Sequence, residues 1–366
     1  MNPELIHTAK QFAFAEKPEA IESCKYGHIN DTYAVYCLGA KGTPPRYILQ
    51  RINHHVFRRP DALMENIARV TTFLRDKISG RGGDPDRETL NLISTKTGQL
   101  YHTTPDGDYW RAYAYIPRAQ TYQIVRGQDH VYQAARAFGR FQHLLADFPL
   151  MRLHDTIPDF HHTPKRLSAF RQVVAADPQN RAPTAAAEIE FVETRAGEVS
   201  RLIDLLEQGD LPLRVTHNDT KVDNVLIDDE SGEGICVIDL DTVMPGLSLY
   251  DFGDFVRSGT NPAAEDERDL AKVKMHLAYF EAIVRGYLGE TRDALTALEK
   301  DLLTFSAWLI TFEIGMRFLT DYLNGDRYFR IHRPEHNLDR CRTQFKLVAD
   351  MEGKFDQMQR IVERYR

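Results

Sequence analysis

The sequence predicts an α+β protein of two lobes, a small β-rich one followed by a larger, mainly helical one, on three observations. Up to Pro117 the apolar residues alternate in short runs broken by Gly, Pro and Asp-Gly turns, the pattern of strands. Beyond Pro117 they recur at three- and four-residue intervals, the pattern of helices with one buried stripe. A length of 366 residues also exceeds what one simple core accommodates. The expected division is 1–117 and 118–366, joined near residues 113–119, with a cleft between the lobes.

In chain order, Leu5, Ile6, Ala9 and Phe12 space a short first helix. Short β runs begin at Ile21. Thr32–Leu38 and Arg46–Ile52 are a strand and its return, separated by a Gly- and Pro-rich turn over 39–45. Leu63, Met64, Ile67, Val70, Phe73 and Leu74 make Asp61–Ile78 a helix. A loop over 80–86 leads to three more strands at Thr89–Ser94, Leu100–Thr103 and Tyr109–Ile116, with Asp106-Gly107 as a turn. In the second lobe Val131, Ala134, Ala135, Phe138, Phe141 and Leu145 set one helix, and residues 149–164 read as a loop. Further helices are expected at about 164–176, 184–208, 262–288, 293–323 and 335–364.

Bulk properties narrow the function classes. With 42% hydrophobic and 27% charged residues, the composition is that of an ordinary soluble globular protein. A net charge of −7 argues against a nucleic-acid or anionic-membrane partner. Cys24, Cys37, Cys236 and Cys341 are scattered, without a C-x-x-C pair, and read as reduced thiols of a cytoplasmic protein. The start of the chain lacks a secretory-signal pattern, and no apolar run approaches the ~20 residues of a membrane span. The oligomeric state is left open, a monomer included.

One stretch carries chemistry. Val215-Thr216-His217-Asn218-Asp219-Thr220-Lys221-Val222-Asp223-Asn224 places H-x-D-x-x-x-x-N between two apolar runs, and the second run ends at Asp239. That is the layout of a phosphoryl-transfer site. One Asp orients the attacking hydroxyl, and an Asn and a second Asp hold Mg²⁺ on nucleotide phosphates. Asp219 is the candidate base, and Asn224 and Asp239 are the candidate metal ligands, since Mg²⁺ takes hard oxygen donors and keeps several waters. His217 is expected to fix the loop backbone rather than act chemically. Asp241 would share a side with Asp239 if the strand continued, as a second ligand or a supporting residue. Asp251, in Tyr250-Asp251-Phe252-Gly253-Asp254, is expected to open a helix and brace the loop by accepting backbone N–H bonds.

Other segments speak less clearly. Gly27 to Tyr33 holds too few glycines for a G-x-G-x-x-G loop, leaving Asn30 and Thr32 as side-chain candidates to cap phosphates. No lysine stands on the return strand. Gln50 and Arg51 take its place, and alternation turns only one of them to the cleft; Arg51 would serve by bidentate contact, with Glu65 as its partner. His54-His55 and His161-His162 lack metal-helix spacing. Arg317 lies in an apolar helical run and calls for an internal acid or a ligand.

These motifs are similar to those of the phosphotransferase family of aminoglycoside and choline kinases, which share the protein-kinase-like fold. Within it the chain looks most like the N-acetylhexosamine 1-kinases. The resemblance rests on 27–33, 47–53, Leu63-Met64-Glu65-Asn66, Tyr109-Trp110-Arg111, 217–221, 238–246 and 317–326. It implies ATP- and Mg²⁺-dependent phosphorylation of the anomeric hydroxyl of N-acetylglucosamine or N-acetylgalactosamine. It further implies that His28, Arg317, Tyr328 and Phe329 contact the sugar, and that backbone near Tyr113 and Tyr115 meets adenine. The family often has Trp where Phe329 stands. A kinase of another small hydroxyl compound, of aminoglycoside, choline or homoserine type, is the alternative, and a non-catalytic nucleotide-binding regulator is a third reading.

Overall fold

An antiparallel six-stranded sheet and a helical body face each other in the computed structural model, which describes residues 3–24, 29–37, 44–291 and 293–366. Helix α1 (Pro3–Ala9) precedes β1 (Pro18–Ser23), β2 (Asp31–Cys37) and β3 (Tyr47–Ile52). After α2 (Pro60–Gly80) and the short α3 (Pro85–Glu88) come β4 (Leu92–Ile93), β5 (His102–Thr103) and β6 (Tyr109–Ala114). The strand order is β1-β2-β3-β6-β4, with β5 also on β6. The predicted strands and helix are present, although Thr89–Ser94 shrinks to two residues and the first strand starts three residues earlier than Ile21.

The register of this sheet decides what enters the cleft. Thr32 pairs Gln50, which pairs Arg111, while Asp31 pairs Arg51, which pairs Trp110. Because side chains alternate, these are two opposite faces. Val35, Leu49, Trp110 and Ala112 lie on one, packed with Ala9 and Phe12 into a small separate core under α1. The other face carries Gln50, Ile52, Arg111 and Tyr113. Ile52 and Tyr113 join the main core through the apolar stripe of α2, which buries Leu63, Met64, Ile67, Val70, Leu74 and Ile78.

The helical body holds α4 (Gln128–Leu144), α5 (Thr163–Ala176), α6 (Ala186–Glu193), α7 (Arg201–Glu207), α8 (Ser248–Gly259) and α9 (Leu277–Thr291). It is completed by α10 (Ala297–Asp301), α11 (Leu303–Leu323), α12 (His336–Glu352) and α13 (Phe355–Tyr365). Helices α4 and α9 cross so closely that a Cβ on Gly286 would sit 2.6 Å from the Tyr132 carbonyl, which accounts for glycine there. Between the helices run β7 (Ala119–Gln120), β8 (Arg214–Thr216), β9 (Val225–Asp228), β10 (Gly234–Val237) and β11 (Met244–Gly246). They form two small sheets, β10-β9-β7 and β11-β8, that carry the H-x-D-x-x-x-x-N loop.

Four helix expectations change. The run 184–208 is broken into α6 and α7, 293–323 into α10 and α11, and 335–364 into α12 and α13; 262–288 becomes α-helical only at Leu277. In the last case Glu265 and Asp266 are drawn into ion pairs with Arg257, Arg333, Arg340 and His336, which hold the segment as a covering loop. Among the described residues no helix is long and apolar enough to cross a membrane.

Candidate active site

The loop after β8 is fixed from below. Asp251, in the first turn of α8, accepts the backbone N–H of His217 at 2.9 Å and of Asn218 at 2.7 Å, and Gln142 Nε2 at 2.6 Å. Its carboxylate is buried, and burial pushes its pKa up despite those donors. His217 is fully buried, edge-on to Phe138 and Phe141. Its Nε2 donates to the Ile238 carbonyl at 2.8 Å and its Nδ1 accepts the Asp219 N–H at 3.3 Å, so the ring is the neutral Nε2–H tautomer that ties the loop to the segment bearing Asp239. Asn218 takes the left-handed φ of 64°, held by its side chain on the Thr242 carbonyl. Close packing matters here too: a Cβ on Gly246 would overlap Thr216 Oγ1.

Asp219, Asn224 and Lys221 meet. Asn224 Nδ2 donates to the Asp219 carbonyl at 2.8 Å and to Asp219 Oδ2 at 3.3 Å, leaving its Oδ1 as an acceptor. Lys221 Nζ lies 3.3 Å from Asp219 Oδ2. Burial in the cleft would raise the Asp219 carboxyl, but the Lys221 ammonium, helped by the Arg257 guanidinium, outweighs it and keeps Asp219 below the ordinary carboxylate range. Lys221 in turn is held charged, chiefly by Asp219.

Asp239 follows β10 with a left-handed φ of 60°, which turns its side chain out of the strand line toward the cleft. Its residue surface touches solvent, yet protein surrounds it on the cleft floor, and that confinement with the charges of Asp241 and Asp219 pushes it up to about 7. Such crowding of acidic oxygens suits a divalent cation. Asn224 and Asp239 fit Mg²⁺, whose remaining positions phosphate oxygens and water would fill. Among the described residues no three His, Cys, Asp or Glu side chains cluster to hold a metal by themselves.

The strand ends at Val237, so Asp241 does not share a side with Asp239 as an extended run would give; it sits in a 3-10 turn over Leu240–Thr242. Both its oxygens are engaged, Oδ1 by Arg111 and Oδ2 by Asn30, so Asp241 braces the site. Arg111 was quoted only as part of a motif, yet it is the buried cation of the cleft. Its side chain is 1% exposed, with Nε donating to Gln50 Oε1 at 2.9 Å. Burial works against its charge and Asp241 sustains it.

Several phosphate-side expectations are corrected. Arg51 lies on the outer face of the sheet, ion-paired to Asp31 and, at 3.1 Å, to Asp108, with 43% of its side chain exposed. Gln50 is the residue of the pair that turns inward, donating to Thr32 Oγ1 at 3.0 Å. Asn30 is tied into the frame, spending one N–H of its Nδ2 on Asp241 and its Oδ1 on the Asn53 N–H at 2.9 Å, so one N–H remains for a phosphate. Glu65 partners Arg69 and His154, each at 2.7 Å, rather than a strand cation. Its neighbour Asn66 instead ties α2 to the site, donating to the carbonyls of His154 at 2.8 Å and Val243 at 2.9 Å. Tyr113 is buried beneath Arg111, and the Tyr115 N–H already donates to the Arg46 carbonyl at 3.0 Å. His28 lies outside the described residues.

The far end of the site is assembled from α11 and two loops. Arg317 is 9% exposed, with its guanidinium 4.8 Å from the Phe160 ring, 6.0 Å from Tyr328 and 5.9 Å from Phe329. Its nearest carboxylate oxygen, Glu313 Oε1, is 4.0 Å away, and it donates no hydrogen bond among the described residues. Tyr328 and Phe329 are placed by Asp321, whose carboxylate accepts the backbone N–H of Arg327, Tyr328 and Phe329 at 2.8–2.9 Å. Glu313 is wholly buried and receives His161 Nδ1 at 2.8 Å and Thr163 Oγ1 at 2.6 Å; His161 Nε2 reaches the Asn218 carbonyl at 3.1 Å. The Arg317 cluster and the Asp219 loop are therefore parts of one site. Arg111, Lys221, His161 and Glu313 belong to the site without a role legible in the sequence, the first two visible only within the segments 109–111 and 217–221.

Solved structures share this architecture. A microcompartment-associated aminopropanol kinase is similar with a TM-score of 0.65 and 16% identity over 97% of this chain and 98% of its own. A spectinomycin phosphotransferase in complex with ADP and spectinomycin has a TM-score of 0.58 at 15% identity over 97% and 98%. An amicoumacin kinase in complex with AMP-PNP, Ca²⁺ and Ami has a TM-score of 0.59 at 13% identity over 98% and 97%. At such identities the likeness speaks for the fold. The sequence itself matches the phosphotransferase enzyme family over residues 21–297, well over half its length. On that match, with a protein-kinase-like fold beneath it, the chain belongs to the phosphotransferase enzyme family.

Proposed function

We propose that the protein transfers the γ-phosphoryl group of ATP, with Mg²⁺, to the anomeric hydroxyl of an N-acetylhexosamine, giving the sugar 1-phosphate. The observation that carries the acceptor class is Arg317: a nearly buried guanidinium that donates no hydrogen bond among the described residues, with Glu313 Oε1 4.0 Å away, ringed by Phe160, Tyr328 and Phe329. A buried cation in that state is short of oxygen acceptors, and the aromatic faces offer what a sugar ring stacks on. Arg166, beside it, donates only to the Phe160 carbonyl, and burial together with Arg317 pulls its pKa down. Two neighbouring guanidiniums repel an ammonium group, which disfavours the amino-alcohol alternative.

Asp219 accepts the hydrogen bond of the acceptor hydroxyl and takes its proton late, as a loose transition state requires. Lys221 keeps that carboxylate anionic and stands where oxygens of the moving phosphoryl group gain charge. Asn224 and Asp239 would hold Mg²⁺, which supplies charge neutralisation on the phosphates. Arg111 reaches the metal segment from the sheet and fixes it through Asp241.

The test is product analysis. The protein with ATP, Mg²⁺ and N-acetylglucosamine or N-acetylgalactosamine should release ADP and place phosphate on C1, read by phosphorus and carbon NMR. Phosphorylation of an amino alcohol with no turnover of either hexosamine would defeat the proposal.

A further inference from the structure

We propose that the buried His161–Glu313 pair is a positioning device that sets the peptide before Asp219 and joins it to the guanidinium of Arg317. This rests on the kinase reading of the site and assigns a role to two residues outside the catalytic motif.

The geometry begins at Asn218. A non-glycine residue at φ 64° sits in a sparsely populated conformation that its surroundings must hold. Its N–H is held by Asp251 and its side chain by Thr242, both close to the loop in fold and sequence. Its carbonyl is held by His161 alone among the described residues, from the segment that leads into α5. The carbonyl and the Asp219 N–H share one peptide plane, so His161 sets the direction from which the Asp219 side chain departs.

Both partners of His161 are acceptors. The Asn218 carbonyl can only accept, and Glu313 is a carboxylate kept below its ordinary range: burial would raise it, and His161, Arg317 and the Thr163 hydroxyl outweigh burial. The ring spans the two, Nδ1 on Glu313 and Nε2 on the Asn218 carbonyl. With side chains 1% and 0% exposed, the pair is expensive to bury, and a well-packed apolar pair would serve stability as well. What the apolar pair would lack is direction. Glu313 lies one helical turn before Arg317, so a single carboxylate oxygen, Oε1, holds the imidazole and faces the guanidinium, while Oε2 is fixed by Thr163.

The experiment compares His161→Leu with His161→Gln. Both remove the charged contact to Glu313, but a glutamine amide can still donate to the Asn218 carbonyl. His161→Leu is expected to lower kcat about a hundredfold, with the KM for ATP within about twofold of wild type, because the reacting groups lose alignment while Asn224 and Asp239 keep theirs. His161→Gln should recover most of that kcat. Should His161→Leu fail to fold, Glu313→Gln replaces it, with an expected fall of about tenfold in kcat/KM for the acceptor and an unchanged KM for ATP. Equal kcat in the Leu and Gln variants, whether at the wild-type level or below it, would overturn the role. So would an unaltered kcat/KM in folded Glu313→Gln. The comparison uses whichever acceptor the wild type phosphorylates, or water if it only hydrolyses ATP. A wrong sugar assignment therefore shows in the wild type, and a wrong positioning assignment only in the ratio between variants. A wild type that neither transfers nor hydrolyses would overturn both.

Discussion

At the Asp219 end of the cleft the loop backbone is hydrogen-bonded to its supports and only acceptor oxygens of Asn224 and Asp239 are left over, whereas at the Arg317 end a guanidinium donates no hydrogen bond among the described residues. The first end is held by Asp251, Asn66, Thr242 and the Arg111–Asp241 pair, all within the folded frame. The second is held by packing on Phe160, Tyr328 and Phe329, with half of Tyr328 in solvent. The contrast separates two tasks. Phosphoryl transfer needs few atoms at fixed places, so the fold over-determines them. Recognition needs donors left over for a ligand, so the fold leaves them short.

The largest expected effect tests the fixed end. Asp219→Asn should cut kcat by at least about 10³-fold, because the acceptor proton loses its base, while nucleotide binding and thermal unfolding stay close to wild type. Steady-state ADP release and a melting curve measure both sides. Turnover retained in that variant would remove Asp219 from the reaction.

Next is the brace between sheet and metal segment. Arg111→Met leaves Asp241 buried without its cation, and Asp241→Asn does the converse. Each should destabilise by roughly 3–5 kcal/mol in urea unfolding, since breaking one side of a buried pair strands the other charge. The double variant should lose less than the sum of the two. Additive losses would mean that the pair is not the coupling it looks like.

Legibility follows the same divide. The Asp219 end was readable because H-x-D-x-x-x-x-N and Asp239 are compressed into about two dozen residues whose spacing is dictated by the chemistry. Arg111 escaped because nothing in Tyr109-Trp110-Arg111 says which face of the strand is inward. The register with Gln50 decides that, and the same register sends Arg51 outward. His161 and Glu313 are 152 residues apart and meet only through packing of α11 on the start of α5. In the fold, periodicity located the helices but not their interruptions. Thr194 bonds back to the carbonyls of Glu190 and Phe191 where α6 ends, and Glu299 is claimed by Arg214 and Ser248 beside the break at Leu302. Those are tertiary or side-chain-to-backbone choices that an apolar period does not encode.

The open end gives a smaller effect. Arg317→Ala should raise the acceptor KM by about 10- to 100-fold, the worth of hydrogen bonds from a charged donor, and leave the KM for ATP unchanged. Tyr328→Ala, at a half-exposed position, should do the same more weakly. Equal changes in both KM values would show that the two ends do not divide the work as the geometry suggests.

The mildest prediction uses the one group of the fixed end that is poised to titrate. Asp239, although open to solvent, is raised from 3.8 to about 7 by the protein crowded around its carboxyl and by the neighbouring Asp241 and Asp219. With the folded value above the unfolded one, the metal-free native state keeps a proton that the unfolded chain has lost between those limits. Its contribution to stability is therefore full below the unfolded value and lost as pH rises through about 7. Added Mg²⁺ should reverse the trend, because a cation in place of the proton relieves the same crowding. The melting temperature should thus respond to Mg²⁺ more at pH 8 than at pH 6, and the Mg²⁺ concentration for half-maximal turnover should rise as pH falls through 7. Asp239→Asn should flatten both dependences, since an amide neither takes up the proton nor repels Asp219 and Asp241. A Mg²⁺ response of equal size at the two pH values in the wild type, or one that survives in the Asn variant, would move the metal away from Asp239.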